Sequence, residues 1–174
     1  MIVITITAVF NAVFPAPMET TPVPAALSPA ESDFIEQLGL VAESGGLTRI
    51  TGRVWALLIV SGKALAPADI ARQLQVSRAS VGTGLKTLES LDLITIRSRA
   101  GDRQSYFEMR EHPYTAMMQS QVRRAAANTA MVRDALQAIR SPASRKGLQD
   151  LESFYTIVLE GHTAMLARLE ALEE

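Results

Sequence analysis

Cysteine is absent from the 174 residues, which excludes disulfides, thiolate zinc sites, iron–sulfur clusters and thiol redox sensing. Histidine is almost absent too. His112 and His162 lie far apart with no ligand partner at helical spacing, so no metal is expected. No Ser/His/Asp arrangement, carboxylate pair or nucleotide loop assembles at recognisable spacing. Gly62-Lys63-Ala64 lacks the earlier glycine and the following Ser/Thr of a phosphate loop. Neither an enzyme nor a cofactor is expected. Charge of one sign is missing as well: 17 Lys+Arg stand against 18 Asp+Glu, so total charge is silent about a nucleic-acid partner. The uncharged stretch 1–17, MIVITITAVFNAVFPAP, is shorter than the ~20 apolar residues a membrane helix needs. It also lacks the positive region that opens a signal peptide. A cytoplasmic protein with no membrane partner is expected.

What is present is segregated. Between Arg49 and Arg110 the positive residues are Arg49, Arg53, Lys63, Arg72, Arg78, Lys86, Arg97, Arg99, Arg103 and Arg110. Only Asp69, Glu89, Asp92, Asp102 and Glu108 oppose them, and the acidic residues collect towards the two ends of the chain. A basic centre on a neutral chain is an electrostatic footprint for nucleic acid.

The same stretch reads as a winged helix-turn-helix. Residues 66–74, APADIARQL, predict a short helix, with Pro67 in the first turn where no donor is needed. Gln75-Val76-Ser77 is the turn, and Ser77 is placed to cap the next helix. That helix, residues 78–91, sets Val81, Leu85 and Leu88 on one side and Ala79, Thr83, Lys86 and Ser90 on the other. One side packs, and the other is small and polar enough for a DNA major groove. Residues 93–99 and 103–110 flank Ala100-Gly101-Asp102 and predict a β-hairpin wing. His112-Pro113 breaks the chain after it.

Upstream, residues 1–30 predict a disordered or artefactual arm: Met18 opens a more ordinary start than Met1, and a strand or membrane-seeking tail is the alternative for residues 1–17. Ser28 or Ser32 caps a helix through Phe34, Leu38 and Val41, ended by Gly45-Gly46. A second helix over about 47–60 carries Trp55 among Val54, Leu57, Leu58 and Ile59, which predicts core packing for it.

Downstream, residues 113–174 predict a helical dimerisation region: a long helix over about 114–139, a break at Ser141-Pro142, and a last helix. There Leu148, Leu151, Tyr155, Val158, His162, Met165, Leu169 and Leu172 alternate steps of three and four, a seam over about four heptads. Such a seam serves self-association or covers the protein's own core. His162 is the polar member, expected either to meet its symmetry mate or to point to solvent at the bundle's edge. The fold class expected is mainly α with a small β-hairpin, the winged helix spanning 31–112.

GRVWALL, the turn into VSRASV, and GDRQSYF, in this order and spacing over about 34–111, resemble the GbsR branch of the MarR-like transcriptional regulators. The resemblance implies a homodimeric bacterial repressor on a palindromic operator, with osmoprotectant or choline-related genes as frequent targets. Two residues depart from that pattern. Gly82 stands where relatives carry a polar residue and Gly84 where they carry a larger one, each glycine costing the helix about 1 kcal/mol relative to alanine. A choline-type effector would want an aromatic cage. With 5% aromatics, Trp55, Tyr114 and Tyr155 are the candidates, each with a simpler packing role, so the effector stays open.

The expected DNA-binding residues are Ser77, Arg78, Ala79, Ser80, Gly82, Thr83, Lys86, Arg97, Arg99 and Arg103. Arg78, Thr83 and Lys86 touch base edges or phosphates, Ala79 and Gly82 allow close approach, and Ser77 and Ser80 cap or bind phosphate. Arg97, Arg99 and Arg103 crowd the wing, where one enters a minor groove. Asp102 is expected to orient Arg103. The rival reading is a winged helix that binds protein rather than DNA. The wing arginines and Lys86 speak against it, because protein-docking surfaces are depleted of charge at their cores.

Overall fold

The computed structural model describes residues 27–98 and 101–173. The expectations for residues 1–26 and for Arg99 lie outside these. Among the described residues, six helices and one hairpin follow in order: α1 (Pro29–Ser44), α2 (Arg49–Ser61), α3 (Pro67–Leu74), α4 (Arg78–Ser90), β1 (Ile94–Ser98), β2 (Ser105–Met109), α5 (Pro113–Ala138) and α6 (Pro142–Glu170).

Local chemistry sets most of the helix starts. Of the two candidate caps for α1 the structure uses Ser28. Its hydroxyl accepts the Glu31 N–H while the Glu31 carboxylate accepts the Ser28 N–H at 2.7 Å, a reciprocal capping box. The Ser28 N–H and, after it, the Ser28 hydroxyl, which also donates to the carboxylate at 2.8 Å, hold the Glu31 carboxyl below its ordinary range. Helix α1 thus begins at Pro29, inside the stretch assigned to the arm. Thr48 caps α2 by accepting from the Thr51 N–H. Ala66 offers α3 no side-chain cap, and Pro67 removes one of the donors that would need it.

Helix α2 is the hub, with Thr51, Val54, Leu57 and Leu58 fully buried against Ile35 of α1, Ile70 of α3 and Val81, Leu85 and Leu88 of α4. That face turns Trp55 roughly 100° aside, since successive helical residues rotate by that angle. Trp55 therefore packs half-buried at the core's edge, its ring centroid 6.4 Å from that of Tyr114 in α5. Its buried Nε1 has no hydrogen-bond partner among the described residues. Where α1 crosses α2, Gly52 lies directly against the α1 backbone. A Cβ there would stand 2.6 Å from the Leu38 carbonyl oxygen and 2.8 Å from the Gly39 Cα.

The hairpin pairs antiparallel, Ile94 opposite Met109, Ile96 opposite Phe107 and Ser98 opposite Ser105. A residue with no sequence signal pins it down. Leu65, between α2 and α3, exchanges both backbone hydrogen bonds with Phe107, at 2.8 and 2.9 Å.

Helices α5 and α6 run antiparallel, tied by Arg133 to Glu152 at 2.8 Å near the turn and by the Arg145 guanidinium to the Leu136 carbonyl at 2.6 Å. No described helix is long and apolar enough to cross a membrane. The expected seam on α6 divides. Leu148, Tyr155, Val158, His162 and Leu169 are half-buried, whereas Leu151, Met165 and Leu172 are exposed. Residues 148, 155, 162 and 169 recur every seventh position and form the row packed along α5. The buried His162 Nδ1 finds no hydrogen-bond partner among the described residues. Phe154 and Ile157, outside the expected seam, are 57% and 67% exposed.

Candidate nucleic-acid interface

Helix α4 presents two unlike sides. Val81, Gly84, Leu85 and Leu88 are buried, while Arg78, Ala79, Thr83 and Lys86 are exposed. Ser77 caps the helix, accepting the Ser80 N–H at 3.1 Å, and its hydroxyl also meets that of Ser80 at 2.8 Å. Both serines thus have a structural role at the end that points polar groups outward. The exposed Thr83 donates its hydroxyl back to the Ala79 carbonyl at 3.2 Å, which leaves the oxygen able to accept a further hydrogen bond.

The two glycines of α4 have different reasons. Gly84 faces α2, where an added Cβ would stand 3.4 Å from the Val54 Cγ2 and 3.5 Å from the Thr51 Cα. One methyl fits there, and a larger side chain would push the helices apart. Around Gly82 nothing lies within 4 Å of a built Cβ. Gly82→Ala is therefore expected to stabilise the protein by about 1 kcal/mol, the full helix-propensity difference. Thermal unfolding checks it, and an unchanged or lowered midpoint would show that Gly82 serves the fold.

The wing carries the remaining candidates. Arg97, 67% exposed as a side chain, is tied through Nε to the Glu108 carboxylate on the neighbouring strand. That hydrogen bond and the charge of Glu108 raise the Arg97 pKa further above its already high value. Asp102 does not orient Arg103 as expected. It accepts from the Gln104 N–H at 2.8 Å and from the Tyr106 hydroxyl at 2.7 Å. An aspartate at a turn finds the backbone N–H two residues on before it finds a neighbouring side chain. Tyr106 so closes the tip, and Phe107 packs against the core.

Ion pairing sorts the basic centre. Arg49 and Arg53 both hold Glu36 of α1, at 2.9 and 2.7 Å; Arg72 holds Asp69, Arg97 holds Glu108 and Arg110 holds Asp92. Among the described residues of this stretch, the cations left without a carboxylate are Lys63, Arg78, Lys86 and Arg103. Two of those lie on the exposed side of α4 and one at the wing. Apart from Asp69, which shares α3 with Arg72, these carboxylates lie on other elements than the arginines they hold, so a count of charges along the chain does not show the pairing.

The three aromatic candidates for a cage do not converge on one another. Trp55 meets Tyr114, whereas Tyr155 stands against Phe154 with ring centroids 5.4 Å apart.

Residues 45–105 match the model of the MarR family. A curated relative, the HTH-type transcriptional regulator MmpR5 of Mycobacterium tuberculosis, is 31% identical over 93 residues, covering 52% of this chain and 56% of that protein. The chain thus spans about half the length of that relative. A solved transcriptional regulator superposes with a TM-score of 0.71 at 25% identity, covering 82% of this chain and 99% of the other.

Proposed function

We infer, from the match of residues 45–105 to the model of the MarR family, that the protein is a winged-helix transcriptional regulator. It binds double-stranded DNA through α4 and the wing as a homodimer and represses by occupying a palindromic operator. The observation that carries this reading is the placement of unpaired cations. Among the described residues, Arg78, Lys86 and Arg103 have no carboxylate partner, while most of their basic neighbours are paired internally. Phosphate is the partner that such a set suits. MmpR5, named as a transcriptional regulator, supports the same class. The motifs GRVWALL, VSRASV and GDRQSYF favour the GbsR branch, and a cytoplasmic location follows from a chromosomal target.

In this reading the winged helix at 31–112 meets the DNA and residues 113–174 make the dimer. Ser77, Ser80, Ala79, Gly82 and Thr83 line the approach of α4, and Arg97, Arg99 and Arg103 serve the wing. Two-fold symmetry sets two copies of α4 about 34 Å apart, one turn of duplex, which selects a palindrome. The second copy covers the apolar side of α6, where Leu151, Phe154, Ile157, Met165 and Leu172 are exposed. A monomer seldom leaves so contiguous an apolar surface to water.

Filter binding with a salt titration tests the reading. The affinity is expected to fall steeply with salt, and failure to bind any duplex at low salt would favour the protein-binding alternative. Lys86→Ala, removing a phosphate contact, is expected to weaken all duplexes alike and reduce the salt slope by about one unit. Arg78→Ala, removing a bidentate guanine contact, is expected to cost about 1–3 kcal/mol at a selected site and little on random duplex. Uniform losses for both would assign Arg78 to phosphate.

A further inference from the structure

Helix α4 ends in a left-handed turn that accounts for three of its last four carbonyls. Thr87 accepts from the Leu91 N–H at 3.1 Å, Glu89 from the Asp92 N–H at 2.9 Å and Leu88 from the Leu93 N–H at 3.1 Å. The last two bonds form a Schellman motif, with Asp92 at φ 61° in the position glycine ordinarily takes. Leu88 and Leu93, the apolar pair of such a motif, are both fully buried. The Ser90 carbonyl is left over. It accepts from the Arg124 Nη2 at 2.6 Å, 34 residues further along the chain in α5. Helix α4 carries no basic residue in its own last turn. Arg124 therefore supplies from another element the cation that the negative end of a helix favours.

The residue beside it works on the same turn. Arg123 Nη2 lies 3.9 Å from one Asp92 carboxylate oxygen, and Arg110, at the end of β2, lies 3.2 Å from the other. Near its start α5 has a different attachment, the Tyr114 ring against Trp55. Tyr114 and Arg124 are separated by about 15 Å along the axis at the helical rise of ~1.5 Å per residue. Two attachments so far apart fix an angle, and at the far one the hydrogen bond is made by Arg124 at 2.6 Å, with Arg123 standing off at 3.9 Å.

We propose that Arg124 is a positioning residue for DNA recognition. By holding the Ser90 carbonyl it sets the angle of α4 to α5, and through the dimer it sets the distance between the two recognition helices. The consequence is selectivity for half-site spacing rather than for base sequence. The proposal rests on the dimeric DNA-binding reading above, and its test separates the two.

A palindrome is selected from random duplex by the full chain. Versions with the centre lengthened or shortened by one and two base pairs are then titrated with wild type, Arg124→Ala and Arg124→Lys. The wild type is expected to have a sharp optimum. In Arg124→Ala the affinity at that optimum falls about tenfold, as for loss of one charge-assisted hydrogen bond. Random duplex and altered spacings change by less than about threefold, so the profile flattens. Arg124→Lys, still able to donate to the carbonyl, restores part of the optimum. Arg124 is exposed, and equal thermal midpoints for the three proteins show that the fold is intact.

A wild-type spacing profile in Arg124→Ala overturns the proposal while leaving the DNA-binding reading standing. Equal losses on every duplex also overturn it, because they mark Arg124 as a phosphate contact. A wild type that binds no duplex overturns both.

Discussion

Replacing Phe154 and Ile157 together with glutamate is expected to leave the chain folded and make it a monomer at micromolar concentration. Both side chains are more than half exposed, so neither supports the protein's own core. Across a two-fold interface each would be buried, and burial of such a side chain is worth about 1.5–3 kcal/mol. A charge placed there must be desolvated as well. Four substituted positions per dimer raise the dissociation constant by at least about a thousandfold, at 1.4 kcal/mol for each factor of ten. Sedimentation velocity over a concentration series reads it, and binding to a selected palindrome is expected to fall in parallel. A variant that dimerises like the wild type would move the interface away from this side of α6. The exposed Phe34, Leu40 and Val41 of α1 would then be its next location.

Gly52→Val is expected to destabilise the protein strongly, by forcing two helices of the core apart. The Cβ would stand 2.6 Å from the Leu38 carbonyl oxygen and from the Ala42 Cβ, with the Gly39 Cα at 2.8 Å. These atoms belong to the α1 backbone or are attached directly to it, so no rotamer change relieves the contact and the two helices must separate. Overpacking of this kind costs about 1–3 kcal/mol, a large part of a stability of ~5–15 kcal/mol. The thermal midpoint is expected to drop by about 2–12 °C. A midpoint within about 2 °C of wild type would show that α1 and α2 cross less closely than the structure has them. Gly82→Ala, with opposite sign, is the internal control. Both glycines lie inside helices, where alanine and valine are each better helix formers than glycine, so the space around the Cβ sets the opposite signs.

Sequence and structure part where an element's partner has to be known. The heptad pattern on α6 identified an apolar stripe, but the row 148, 155, 162 and 169 turns to α5 while Phe154 and Ile157 are left outside. A stripe of alternating three- and four-residue steps says that a helix has an apolar side. It does not say whether the chain's own neighbour or a second copy covers it. The charge count had the same blindness. Arg49, Arg53, Arg97 and Arg110 looked like part of a DNA footprint until their carboxylates on α1, β2 and the α4–β1 turn were located.

What the sequence determined by itself is the part governed by neighbours within a turn or two. Ser77 and Thr48 cap because their hydroxyls reach an N–H three residues on, Pro67 starts a helix because it has no donor to lose, and Val81, Leu85 and Leu88 share a side because of the helical period. The order of helix, turn, helix and wing follows from such local rules, and so does the residue set exposed on α4. Only the tertiary structure decided that Gly52 meets the Leu38 carbonyl, that Leu65 pins Phe107 and that Arg124 holds the end of α4. Those contacts join elements distant in the chain. Their partners depend on how whole helices are oriented, which many side chains set together and no short pattern encodes.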